Sequence, residues 1–156
     1  MAGVKSLDEL RAWQTALTFK RSVYTLIDFG VFAEDFKLEG QLREASRSAV
    51  SQIAEGYGRF NPADNARFVN MARASIIECR NHLLDAVDRR LISEETRAKH
   101  DALAKEALRE VGGLLDYLQS PKAEENAKRA KARRIARREQ RTQKKNPQPE
   151  PGDLEG

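Results

Sequence analysis

Three groups of side chains in this sequence have types and spacings that could do chemistry. The first is Glu78, Cys79 and His82, within about one helical turn of each other, with Asp85 and Asp88 following. Carboxylate, thiol and imidazole can all ligate a metal, but a di-metal bundle site needs Glu-x-x-His on two helices plus further glutamates. Glu78 and His82 are four apart, the pair occurs once, and the only other histidine is His100. A partly buried Cys79 and a surface His82 are therefore expected, with no metal and no cofactor. The second group is Gly56-Tyr57-Gly58. A dinucleotide-binding loop needs a third glycine and a preceding strand, whereas a helical pattern precedes this pair. Gly56 reads as a close helix contact and Gly58 as a helix stop. Without a convergent acid, one cysteine and two histidines make no nucleophilic triad, and no loop cradles phosphate. No enzymatic activity is expected.

The third group is cationic. Lys128, Arg129, Lys131, Arg133, Arg134, Arg137, Arg138, Arg141, Lys144 and Lys145 crowd one segment near the C-terminus. The net charge of +4 conceals this division. Residues 1–121 hold 17 Lys/Arg and 18 Asp/Glu; residues 122–145 hold 11 and 3; residues 146–156 hold only 3 acids. A single-sign block of this kind marks an interaction tail, and arginine-rich segments commonly fold along RNA or another phosphate backbone. No aromatic interleaves these charges, so base stacking is not expected. Ile135 alone gives no apolar face for a membrane. A second set, Arg43, Arg47, Arg59, Arg67 and Arg73, could face RNA phosphates or pair with Glu39, Glu44, Glu55 and Glu78. The near-neutral body favours pairing, and Glu55 with Arg59 reads as holding bundle or interface geometry.

The elements that must carry these residues are helices. A first helix is expected from Ser6, with Glu9 completing a capping box. It shows two apolar rows (Leu10, Trp13, Leu17, Tyr24, Ile27 beside Ala16, Phe19, Val23, Leu26) and stops at Gly30. Phe32 to Lys37 reads as a connection pinned to the core by two phenylalanines. The second helix spans about Leu38 to Gly58, with a small-sided inward row of Leu42, Ala45, Ala49 and Ile53. Asn61-Pro62 caps a third, running to about Arg90 through Phe68, Met71, Ala72, Ser75, Cys79, Leu83 and Ala86. Ser93, with Glu94 and Glu95, caps a fourth, whose stripe (Leu103, Ala107, Val111, Leu114, Leu118) reaches Pro121. No strand alternation is evident. This pattern predicts an all-α protein: an antiparallel up-and-down four-helix bundle over 1–121, a basic, helical or disordered tail over 122–145, and an unstructured acidic, Pro-rich end over 146–156.

The composition, 40% hydrophobic and 33% charged, is that of a soluble protein. No apolar run reaches the ~18 residues of a membrane span, and Met1-Ala2-Gly3-Val4 does not open a secretory signal. The lone Cys79 allows no intrachain disulfide. A cytoplasmic location without membrane partners is expected.

Across residues 7–120 the chain resembles the family of 23S rRNA intervening-sequence proteins. The matching marks are Leu10-Arg11-Ala12-Trp13-Gln14, Gln41-Leu42-Arg43-Glu44-Ala45, Ile53-Ala54-Glu55-Gly56-Tyr57-Gly58-Arg59 and Arg67-Phe68-Val69-Asn70-Met71-Ala72-Arg73-Ala74-Ser75, then Glu78. The resemblance implies a small bacterial bundle that assembles into a ring, typically a homopentamer. It also implies kinship with accessory proteins of diversity-generating retroelements, which hold a reverse transcriptase and its RNA. The tail from Lys122 onward is outside that common pattern. Two functions are therefore expected. In one, a ring-forming bundle binds RNA or DNA by charge and shape through the tail, with the helix arginines as a second surface. In the other, the chain is a scaffold for a protein such as a reverse transcriptase. Glu55, Gly56, Gly58, Arg59 and Phe68 form the expected structural or interface motif.

Overall fold

A computed structural model describes residue 4 and residues 6–145, with side chains as far as Thr142. Five α-helices account for most of it: α1 Arg11–Asp28, α2 Phe36–Tyr57, α3 Pro62–Asp88, α4 Glu94–Leu118 and α5 Pro121–Lys145. The first four form an antiparallel up-and-down bundle in which α1 packs on α2 and α4, and α3 on α2 and α4. The inward rows read from the sequence form its core. Phe19, Val23, Leu42, Ala49, Ile53, Ile76, Cys79, Leu83, Ala107 and Val111 are essentially inaccessible. Small residues on α2 let α3 approach closely, which is the tightest seam in the bundle.

The ends of the elements depart from sequence expectation in instructive ways. Ser6 makes no side-chain cap; residues Leu7–Glu9 form a short 3-10 turn and α1 starts at Arg11. The capping-box pattern is therefore used as a backbone turn, with Glu9 N–H donating to Ser6 O. Of the two connection phenylalanines, Phe32 is fully buried, whereas Phe36 opens α2 with its ring in solvent. Asp35 caps that helix by accepting from Leu38 N–H. Asn61 accepts from Ala63 N–H and Ser93 from Thr96 N–H, as their positions predict. Met71, assigned to the inward row of α3, is 42% exposed: it stands at the solvent edge of the helix, one turn from Phe68 and from Ser75.

Two chain reversals require a left-handed residue. Gly30 (φ 76°) takes that position after α1 at no steric cost. After α3 it falls to Arg90 (φ 59°), where Leu91 N–H donates to Ala86 O and Arg90 N–H to Val87 O. These are the paired bonds of a Schellman ending with a side chain where glycine is usual.

Beyond Ser120 the chain turns and continues as α5, so the tail is helical. Its first turn belongs to the bundle: Ala123 is buried and Asn126 donates a hydrogen bond to the Tyr117 hydroxyl. From Lys128 to Thr142 every residue is exposed. The acidic end, residues 146–156, lies outside the described residues.

Candidate nucleic-acid interface

The α2–α3 seam gathers the motif around Gly56. A Cβ on Gly56 would stand 2.7 Å from Asn65 Oδ1, 3.0 Å from Phe68 Cβ and 3.2 Å from the main-chain oxygen of Asn65. No side chain fits there without moving α3. One turn later Arg59 closes a 2.5 Å ion pair with Glu55 and lays its guanidinium over the Phe68 ring, 4.7 Å from the centroid. Glu55, Gly56, Arg59 and Phe68 are thus one packed unit. Gly58 caps α2 with φ −70°, a right-handed conformation open to any residue, and space beside it is ordinary. Its glycine is not demanded by the turn.

The remaining helix arginines divide. Arg43 pairs with Glu39 at 3.1 Å and stacks on Tyr24; Arg47 pairs with Glu44 at 2.5 Å. Arg67 and Arg73 are exposed on α3 and have no acidic partner among the described residues. Glu78 is taken by no arginine and lies 3.8 Å from His82 Nε2. His82 is not a surface residue: its side chain is 14% exposed and Nε2 has no hydrogen-bond partner among the described residues. Cys79 turns the other way, into the core toward the Leu42 carbonyl oxygen. Burial, helped by the Glu78 charge, pushes its thiol up to about 12, so it stays protonated and unreactive. His100 faces the backbone carbonyls of Thr96 and Ser22. Among the described residues no three His, Cys, Asp or Glu side chains converge as metal ligands.

The strongest electrostatic cluster is one that sequence spacing did not single out. Asp101 on α4, 7% exposed, accepts from Arg80 Nε of α3 at 2.6 Å and lies 2.9 Å from Lys105 Nζ. Burial pushes its carboxyl up, but the Arg80 hydrogen bond and the Lys105 ammonium outweigh that and hold it below the usual range. This pins α3 to α4. An aspartate among alanines at core spacing (Asp101, Ala104, Ala107) was the available signal.

On α5 the picture reverses. Arg129 pairs with Glu125 at 2.6 Å. Lys128, Lys131, Arg133, Arg134, Arg137, Arg138 and Arg141 have no acidic partner among the described residues. The helix continues through Lys144 and Lys145, whose side chains lie outside the described residues. No aromatic lies within the cationic run itself, but one reaches it from elsewhere in the chain. The α2–α3 turn brings Phe60, 81% exposed, under α5, and the Arg134 guanidinium sits 4.6 Å from its ring centroid.

A bundle of four antiparallel helices with a fifth, cationic helix at its end defines the class of protein: a small all-α module. The family model for 23S rRNA-intervening sequence proteins matches residues 8–113. The chain belongs to that family. The match stops within α4, so α5 lies beyond it. The fold is also similar to a crystal structure of a protein with unknown function, from the S23 ribosomal protein family of Bacteroides thetaiotaomicron. That protein is 17% identical over 70% of this chain and 99% of its own, with a TM-score of 0.59. No curated protein matches the chain. No helix among the described residues is long and apolar enough to cross a membrane.

Proposed function

We propose that this protein is a non-enzymatic, self-associating four-helix bundle that binds nucleic acid, RNA above all, through the cations of α5. The observation that carries this reading is the exposed stretch of α5 from Lys128 to Arg141, in which every cation but Arg129 has no acidic partner among the described residues. Phosphate contacts by such a run release counterions and give sequence-independent affinity. Arg67 and Arg73 form a second, weaker patch.

Self-association has its own support. Met71, Ile77 and Leu84 on α3 are each more than 40% exposed and flank Ala74 on the outward side of the bundle. A ring built over that stripe presents several α5 helices together, and linked binding raises avidity by ~10²–10⁴ over one helix.

The test is anisotropy of labelled RNA against the full chain and a variant with Lys131, Arg133, Arg137, Arg138 and Arg141 all changed to Gln. These positions are exposed, so the bundle keeps its core. Tight, salt-steep binding by the parent and its loss in the variant is expected; equal binding would move the site to Arg67 and Arg73. Light scattering on Ile77→Glu checks the ring. A parent that is already monomeric favours a scaffold role in which another protein covers the stripe.

A further inference from the structure

Phe60 is out of character for an exposed turn. Between the helix cap Gly58 and the N-cap Asn61, a full aromatic ring stands in solvent with Arg134 of α5 over it. The ring is one wall of a groove of about 940 Å³ formed by Phe60 and Pro62 on one side and Lys131, Arg133, Arg134 and Arg137 on the other. Ala127 and Ala130 line it between them. Glu124 stands at the end nearest the bundle. Lys128 follows Glu124 by one turn in the same lining, so the groove is largely apolar and carries cations along most of its length.

Those features match the needs of an unpaired nucleotide. A nucleobase stacks on an aromatic ring, and a guanidinium behind that ring strengthens the platform, while neighbouring cations take the phosphates. A duplex keeps its bases stacked within itself and can offer only backbone to the same groove. We propose that the α5 groove is a binding site for single-stranded nucleic acid. One base stacks on the face of Phe60 that Arg134 leaves open, and the flanking phosphates lie along Lys131, Arg133 and Arg137. Asn61 also lines the groove; its Oδ1 accepts from Ala63 N–H, which leaves its amide N–H groups to donate. The proposal rests on the nucleic-acid reading above and adds to it a preference for unpaired strands.

The experiment compares full-length parent, Phe60→Ala and Phe60→Trp. The probes are oligoadenylate RNA of about ten nucleotides, its DNA counterpart and an RNA duplex of the same length, a size within the footprint of single-strand binders. Phe60→Ala is expected to weaken single-strand binding by roughly 5- to 150-fold, the loss that removing one stacked base brings, and to leave duplex binding within about twofold. Phe60→Trp keeps or tightens it. A 2-aminopurine in the probe is quenched by the parent and not by Phe60→Ala. Equal losses on the single-stranded and duplex probes, or an unchanged single-strand affinity, overturn the stacking site while the charge-based reading stands. If the parent binds none of the three probes at low salt, both readings fall. Loss in the RNA probe alone, with the DNA probe unaffected, confines the site to RNA.

Discussion

Arg59 and Arg134 each lie over a phenylalanine near the α2–α3 turn, and the contrast between them separates the bundle from α5. Arg59 is held by Glu55 four residues before it and covers Phe68, a residue packed into the seam. Arg134 has no acid, and its ring, Phe60, stands in solvent. Most bundle arginines follow the first pattern: Arg11, Arg43, Arg47, Arg80, Arg89, Arg97 and Arg109 all meet carboxylates. The α5 cations, Arg129 excepted, have no acidic partner among the described residues. Charge in the bundle is internally neutralised and positions helices, whereas charge on α5 is left available to a partner.

The largest expected effect is on binding. If α5 engages six or more phosphates, affinity for RNA falls by ~10³-fold or more between about 50 and 200 mM salt, read from anisotropy titrations. A flat salt response would place α5 with the neutralised bundle. Next is core truncation. Ile76→Ala removes a fully buried side chain and should cost about 2–5 kcal/mol, measured by urea unfolding. Ile135→Ala, on the exposed stretch of α5, should change stability by less than about 0.5 kcal/mol. Gly56→Ala gains helix propensity but drives a methyl against Phe68 Cβ and the Asn65 carbonyl. Because neither atom can swing away, a net loss of about 1–2 kcal/mol is expected.

Asp101→Asn tests the neutralised side of the contrast. It should cost about 1–2 kcal/mol at neutral pH, since Arg80 loses its charged acceptor in a partly buried site. The folded-state carboxyl is held low, so its contribution is present above the unfolded aspartate value and is lost as pH falls through the folded one. The gap between parent and variant should therefore close in acid, below about pH 4. Arg90→Gly relieves the left-handed strain after α3 and should raise stability by about 0.5–1 kcal/mol in the same urea assay.

The bundle was legible because its information is local. Rows such as Leu42, Ala45, Ala49 and Ile53 declare a buried face by spacing, and Asn61-Pro62 and Ser93 declare helix starts by chemistry. The misreadings share a cause. Phe36 and Met71 are apolar at plausible spacing, and only tertiary packing decides that Phe32 is covered and they are not. The Phe60–Arg134 groove was illegible for the same reason. Its parts lie on segments far apart in the chain, and nothing in a periodic pattern tells which way a helix leaves after Ser120.

That α5 is a helix and not an extended strand bears on how salt acts. Helical rise is about 1.5 Å per residue against roughly 3.3 Å when extended, so coiling doubles the number of like charges per unit length. Left alone at low ionic strength, such a rod strains against its own repulsion and frays from its free end. Added electrolyte relaxes that strain and firms the helix, yet the same ions compete for the phosphates it would grip. Folding of α5 and capture of a polyanion therefore respond to ionic strength with opposite signs. Circular dichroism of the free chain should gain helix over the same concentrations at which anisotropy reports release.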